Sequence, residues 1–160
     1  MAGAEQAGAD GVTRIVEVGA KAETVREATA EAWLHTTAEA VANLVAGTKK
    51  GSPIETAKIA GIGGVKRTPE LLPHCHPIRV TGADVAIEPD YAEGRIRVEV
   101  TVRAIDRTGV EMEALTGAAT AALSLYDTVK AFDRSARIDG IRLLTKSGGA
   151  SGDYQASSGV

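Results

Sequence analysis

Apolar and polar residues alternate most clearly in two stretches, Arg79 to Glu88 and Arg95 to Ile105, where Val80, Val85, Ile87, Ile96, Val98, Val100 and Val102 are set among polar neighbours. Alternation of that kind puts the apolar side chains on one face of a strand. Pro89-Asp90-Tyr91-Ala92-Glu93-Gly94 between the stretches supplies the turn residues of a hairpin connection. Arg26 to Leu34 also alternates, although its alanines and glutamates equally suit a helix; the alternation favours a strand. Thr37 reads as the cap of a short helix, Ala38 to Ala46, that stops at Gly47. A second helix runs from Ile54 to about Arg67 on Ala57, Ile59, Ala60, Ile62 and Val65. Gly61, Gly63 and Gly64 each weaken that helix by about 1 kcal/mol relative to alanine, which predicts close packing against another element. The longest helical pattern extends from about Gly109 to Asp133, and a last strand, Ile138 to Leu144, leads into a glycine-serine tail from Lys146 to Asp153.

With the two early helices pooled as one layer, the order is β-α-β-β-α-β. That is the ferredoxin-like arrangement of an α+β protein, an antiparallel sheet with helices on one face. Its other face then calls for cover, and a second subunit is the natural source, so an oligomer is expected.

Composition narrows the class. At 160 residues the chain has the length of one ordinary domain. Residues 1–12 read as a disordered N-terminal tail, 13–154 as a single domain and 155–160 as a flexible C-terminal tail. No apolar run approaches the roughly 20 residues a bilayer needs, and Met1 to Asp10 lacks the basic and apolar regions of a signal peptide. The single cysteine, Cys75, suits a reducing compartment, so a cytoplasmic location is expected. A formal charge of −3 argues against general nucleic-acid binding.

The chemistry concentrates in a few places. Leu72-Pro73-His74-Cys75-His76-Pro77 holds two imidazoles and the only thiol between prolines that restrict the backbone on both sides. His76 can donate or accept a proton near neutral pH, although a Pro-flanked histidine is also an ordinary surface-turn residue. On the long helix Glu113, Thr116, Thr120, Ser124, Asp127 and Lys130 fall on one side, opposite Leu115, Ala118, Ala122, Leu125, Tyr126 and Val129. A solvated face would explain such a stripe, but small hydroxyls stand where Lys and Glu are usual, as if an element packed against them. Asp127 and Lys130, three residues apart, can meet. Basic residues cluster at Lys49-Lys50, Lys66-Arg67 and Lys146 beside loops and element ends, which suits a polyphosphate. Neither Gly-x-x-x-x-Gly-Lys-Ser/Thr nor Gly-x-Gly-x-x-Gly after a strand occurs. His74-Cys75-His76 has no second ligand cluster, so no metal site is assigned.

Five blocks in order carry a resemblance: Lys21 to Ala28, Lys66 to Pro77, Gly109 to Thr116, Tyr126 to Ala131, and Leu144 to Gly149. Together they resemble the cyclic pyranopterin monophosphate synthase family, molybdenum cofactor biosynthesis protein C, over about Arg14 to Asp153. The resemblance implies a ferredoxin-like subunit in a hexamer of three dimers, with each active site at a dimer interface. It also implies a lyase that rearranges 3′,8-cyclo-7,8-dihydro-GTP, closes a cyclic phosphate and releases pyrophosphate. No redox cofactor is needed, and magnesium is conceivable only as a companion of the substrate's phosphates. Position by position, the resemblance makes Lys50 and Lys130 acid/base lysines and Asp127 their orienting or shuttling carboxylate. Lys66, Cys75, His76, Glu111, Met112, Glu113, Lys146 and Arg26 complete the substrate pocket. A lysine with cationic neighbours has a lowered pKa, which suits proton exchange near neutrality.

Glu111 and Glu113 would share a side only in an extended lead-in, so the helix is expected to start after them if both reach one ligand. Lys50 is expected on a mobile lid loop. Two residues depart from the family's pattern: Lys49 stands where histidine is common, and His74 where an apolar residue precedes Cys-His-Pro. Cys75 reads as a packed small residue rather than a nucleophile. The competing class is a non-catalytic module that binds a nucleotide polyphosphate. A hydrolase acting on ordinary GTP lacks an obvious carboxylate cluster for magnesium.

Overall fold

In the computed structural model, which describes residues 11–157, the elements are β1 (Thr24–His35), α1 (Ala38–Ala46), α2 (Pro53–Leu71), β2 (Val80–Asp90), β3 (Arg95–Asp106), α3 (Glu111–Val129), β4 (Arg137–Ser147) and β5 (Tyr154–Gln155). The sheet order is β2-β3-β1-β4-β5 with every pairing antiparallel. Four of those strands with two helical crossovers make the ferredoxin-like α+β arrangement. No helix of the described residues is long and apolar enough to cross a membrane.

Local chemistry sets most boundaries. Thr37 Oγ1 accepts from the Ala40 N–H at 3.1 Å to open α1, and Gly47, at φ 91°, ends it. α2 begins one residue earlier than its apolar pattern indicates, with Ser52 Oγ accepting from the Glu55 N–H and Pro53 in the first turn. It also runs past Arg67 and through Pro69 to Leu71. Pro69 has no N–H for the Val65 carbonyl, and Thr68 Oγ1 donates to that carbonyl at 3.2 Å instead. β2 likewise continues through Pro89, which pairs with Ile96, because β2 is an edge strand. β5 was not expected: Tyr154 and Gln155 pair with Lys146 and Thr145, so the glycine-serine segment turns back onto the sheet and residue 155 belongs to a strand. The rest of that tail, 158–160, and residues 1–10 of the N-terminal tail lie outside the described residues.

The core lies between one sheet face and the helices. Ala28, Ala30, Ala32 and Leu34 of β1 and Ile96, Val98, Val100 and Val102 of β3 point inward at a period of two and are fully buried. Small residues on β1 let α3 settle closely through Ala114, Ala118, Ala121, Ala122 and Leu125, all buried. α2 then packs along α3 at glycines. A methyl group on Gly64 would lie 2.5 Å from Thr120 Oγ1, and one on Gly117 would lie 2.7 Å from a Val65 methyl. The hydroxyl stripe of α3 is therefore partly a helix-packing surface, with Thr120 Oγ1 donating back to the Thr116 carbonyl at 2.7 Å.

The opposite sheet face is not the apolar surface that would demand cover. It carries a cross-strand charge ladder: Arg97 meets Glu31 at 2.8 Å and Glu99 at 2.5 Å, Arg142 meets Glu31 at 2.7 Å, and Arg103 meets Glu27 at 2.9 Å. Burial alone would raise the Glu31 carboxyl, but its hydrogen bonds to Arg97 and Arg142 outweigh that and hold it below the usual range.

Gly64→Ala drives a methyl group into Thr120 and should lower stability by about 1–3 kcal/mol, seen as a reduced urea midpoint. An unchanged midpoint would mean that α2 can move off α3 without cost.

Candidate active site

The residues singled out from the sequence fall into two groups, and α3 separates them. Glu111, Met112 and Glu113 form its first turn, whereas Asp127 lies in its last turn and Lys130 just beyond. Sixteen residues of helix at 1.5 Å each put Glu111 and Asp127 about 24 Å apart.

At the C-terminal end, a cavity of about 470 Å³ is lined by Lys49, Lys50, Ser124, Asp127 and Phe132, among others. Lys130 Nζ donates to Asp127 Oδ1 at 2.7 Å. That ammonium, with a smaller effect of the Lys50 charge, holds the Asp127 carboxyl below the usual carboxylate range. Reciprocally, the bond to Asp127 raises the Lys130 ammonium. The expected lowering of the lysine pKa therefore does not arise within one subunit, where the nearest charged neighbour is an anion. The segment carrying Lys50 is a closed turn rather than an open loop. Thr48 and Gly51 exchange both backbone hydrogen bonds, at 2.9 and 3.0 Å, and Thr48 Oγ1 accepts from the Lys50 N–H at 3.1 Å.

At the N-terminal end, two cavities of about 350 and 740 Å³ share Thr108, Gly109 and Glu111. The smaller is lined by His74, Cys75, His76, Ile78, Met112 and Glu113. The larger brings together Lys21, Arg26, Arg107, Glu111 and Lys146 beneath the Gly149-Ala150-Ser151 backbone. Lys146, at the end of β4 and paired with Ala28 of β1, reaches Glu111 at 3.3 Å. Arg26 is nine-tenths buried, and its Nε has no hydrogen-bond partner among the described residues. Gly149, at φ 83°, lies against the Arg26 guanidinium where no side chain would fit. Lys66 is exposed on α2 and lines none of these three cavities.

Glu111 and Glu113 do not stand in an extended lead-in. α3 starts at Glu111, yet both glutamates line the smaller cavity: Glu111 also reaches Lys146 on its other side, and Glu113 is 2 % exposed beside Cys75 and His76. Glu113 has no ion-pair partner among the described residues. Burial, aided by repulsion from Glu111 and Asp106, pushes its carboxyl from 4.5 up to about 7. Burial followed by the Glu113 charge also raises the Cys75 thiol, which disfavours the thiolate a nucleophile needs, although Cys75 is only partly buried and lines the cavity.

Several lining residues were not singled out in advance. Lys21 lies inside one of the recognisable blocks and could have been included. Arg107 carries no pattern of its own; hairpin length brings it to the larger cavity.

Fold and clusters together define an antiparallel α+β protein whose ionisable groups collect at the two ends of one helix. The chain belongs to the MoaC family, whose sequence model matches residues 15–149. It is 48% identical over 144 residues, 89% of this chain and 91% of the relative, to a cyclic pyranopterin monophosphate synthase of Roseiflexus castenholzii. A synthase of the same name from Roseiflexus sp. strain RS-1 is 48% identical over 145 residues, 90% and 92% of the two chains. One from Deinococcus radiodurans is 47% identical over 148 residues, 92% and 87%. All three relatives are enzymes by name.

A carboxyl raised from 4.5 to about 7 binds a proton in the folded chain that the unfolded chain has lost. Its contribution is therefore complete below about pH 4.5 and is lost as pH rises through about 7, a change on the order of 3 kcal/mol. Glu113→Gln should abolish this part of the pH dependence, leaving a smaller loss of stability between pH 5 and pH 8 in urea unfolding. Equal losses in the two proteins would contradict a neutral buried Glu113.

Proposed function

We propose that this chain is a cyclic pyranopterin monophosphate synthase of molybdenum cofactor biosynthesis. In this reading it is a cytoplasmic lyase that converts 3′,8-cyclo-7,8-dihydro-GTP to the cyclic pyranopterin monophosphate with release of pyrophosphate. The observation that carries this reading is near-full-length similarity to three synthases of that name. Ring rearrangement and cyclic phosphate closure need repeated proton transfers and neutralisation of a triphosphate. The two clusters supply complementary parts of that chemistry. Lys50, Asp127 and Lys130 exchange protons, Lys146 and Arg26 face the phosphates, and Glu113, protonated near neutrality, can donate a hydrogen bond to the ring system with His76 beside it. Met112 and Cys75 line the same pocket, and Lys66, which lines neither cluster's cavity within the subunit, is left to meet the substrate's phosphates from α2. No redox cofactor is required, and magnesium can travel with the substrate's phosphates.

A lysine arm cannot bridge about 24 Å, so one subunit alone does not bring both clusters to one substrate. The reading therefore includes a composite site, with the C-terminal end of α3 from one subunit meeting the N-terminal end from another, in a hexamer built as a trimer of dimers. Entry of a cationic partner cluster beside Asp127 would also compete for that carboxylate and release Lys130 to exchange protons.

Incubation with 3′,8-cyclo-7,8-dihydro-GTP should yield pyrophosphate and a pyranopterin by mass spectrometry from the wild type. Lys130→Arg should still bind the compound but not turn it over, because arginine does not give up its proton. Turnover by that variant would exclude Lys130 as an acid/base, and binding without turnover by the wild type would leave a polyphosphate-binding module.

The composite site has a separate test. Lys130→Ala and Lys146→Ala should each be inactive, yet subunits mixed after mild dissociation should recover up to about a quarter of wild-type activity. Half of the dimers are then mixed and each holds one intact site of two. No recovery in mixed oligomers would place the whole site within one subunit.

A further inference from the structure

His74 makes a contact that an apolar side chain could not. Its Nδ1 lies 3.0 Å from the carbonyl oxygen of Arg14, sixty residues away in the chain. A carbonyl only accepts, so Nδ1 carries the proton, as it does in one neutral tautomer and in the imidazolium. The hydrogen bond thus persists whether or not the ring is charged. The same ring lines the cavity of Cys75, His76 and Glu113.

A second tie holds the segment further along. Arg107, which lines the adjoining cavity, donates from its guanidinium to the Gly19 carbonyl at 2.7 Å. Lys21, at the end of the segment, lines that cavity as well. The stretch from residue 14 to residue 21 therefore starts at the rim of one cavity and ends at the rim of the other, a distance its seven peptide steps could cover up to about 24 Å. Its apolar residues Ile15 and Val16 are each about half exposed, at 50% and 54%, and only Val18 is partly buried.

We propose that His74 is a positioning residue that docks the N-terminal segment along the shared rim of the two cavities and so makes that segment part of the substrate pocket's wall. The tether is a property of the chain alone; its effect on turnover rests on the synthase reading. Loss of one neutral hydrogen bond changes an equilibrium by about fivefold, which sets the size of effect expected.

The test uses the full chain as wild type, His74→Leu and His74→Gln, with limited trypsin digestion read by mass spectrometry at the Arg14–Ile15 bond. Cleavage there should be about fivefold faster in the Leu variant, because a released segment fits a protease more often. It should return towards the wild-type rate in the Gln variant, whose amide can donate to the same carbonyl. In steady-state assays the Leu variant should show a several-fold higher KM with kcat retained. Wild-type cleavage kinetics in His74→Leu would overturn the tether. Faster cleavage with unchanged KM would overturn the positioning role, and an inactive wild type would remove that role together with the synthase reading while cleavage still decides the tether.

Discussion

The close approach of α2 to α3 is the constraint on which the arrangement of functional groups rests. Gly64 and Gly117 let the two backbones meet where any larger residue would strike Thr120 or Val65. With α2 seated there, α3 lies along the small side chains of β1, buried at both ends through Val110, Ala114, Leu125 and Val129. The N-terminal end then faces the close of β4 and the chain after α2, which contribute Lys146 and His74-Cys75-His76. The other end faces the turn between α1 and α2, which contributes Lys49 and Lys50. Glycines that look like weak points in a helical pattern are what allow one rigid element to present two separate sets of chemistry.

Two buried carboxylates illustrate how the same fold sets opposite electrostatics. Glu31 and Glu113 are both nearly inaccessible, at 4 % and 2 %. Glu31 sits between Arg97 and Arg142 on the sheet face, so hydrogen bonds to two guanidinium groups overcome the cost of burial and keep it charged. Glu113 has apolar neighbours, a thiol and other carboxylates instead, and burial dominates. The first holds neighbouring strands together through paired charge. The second, raised to about 7, exchanges its proton near neutrality, which suits giving or taking a proton at a ligand and not holding structure together.

Much of the fold was legible because local chemistry specifies it. Thr37 and Gly47 delimit α1 through a side-chain cap and a left-handed glycine, both interactions within a few residues. Pro69 and Pro89 misled for a common reason: each breaks a rule that surroundings can satisfy otherwise. Thr68 supplies the hydrogen bond that Pro69 cannot, and the edge position of β2 tolerates Pro89. The charge ladder was hidden because Glu31, Arg97 and Arg142 come from three strands, and only register makes them neighbours. Site residues were legible as recognisable blocks, but their grouping was not. The blocks name residues without saying which of them meet or how many chains bring them together.

The separation of the two clusters within one subunit follows from α3 alone. Once Glu111 and Asp127 are placed on the same uninterrupted helix, their separation is set by its rise and no loop movement can shorten it. One end holds an anion tied to a lysine; the other holds cations around Glu111 beside a second cavity with the buried Glu113. On the proposed synthase reading, each end alone is incomplete for a reaction that must move protons while a triphosphate is neutralised. Their charges are also complementary in the sense an interface needs: the exposed Asp127 would meet the cationic set around Lys146, and a substrate bearing several phosphates would screen the remaining cations from one another. Assembly would then bring the proton-transfer and phosphate-binding groups together without any rearrangement inside the subunit, which suits a fold whose site residues stand on strand ends, helix ends and closed turns.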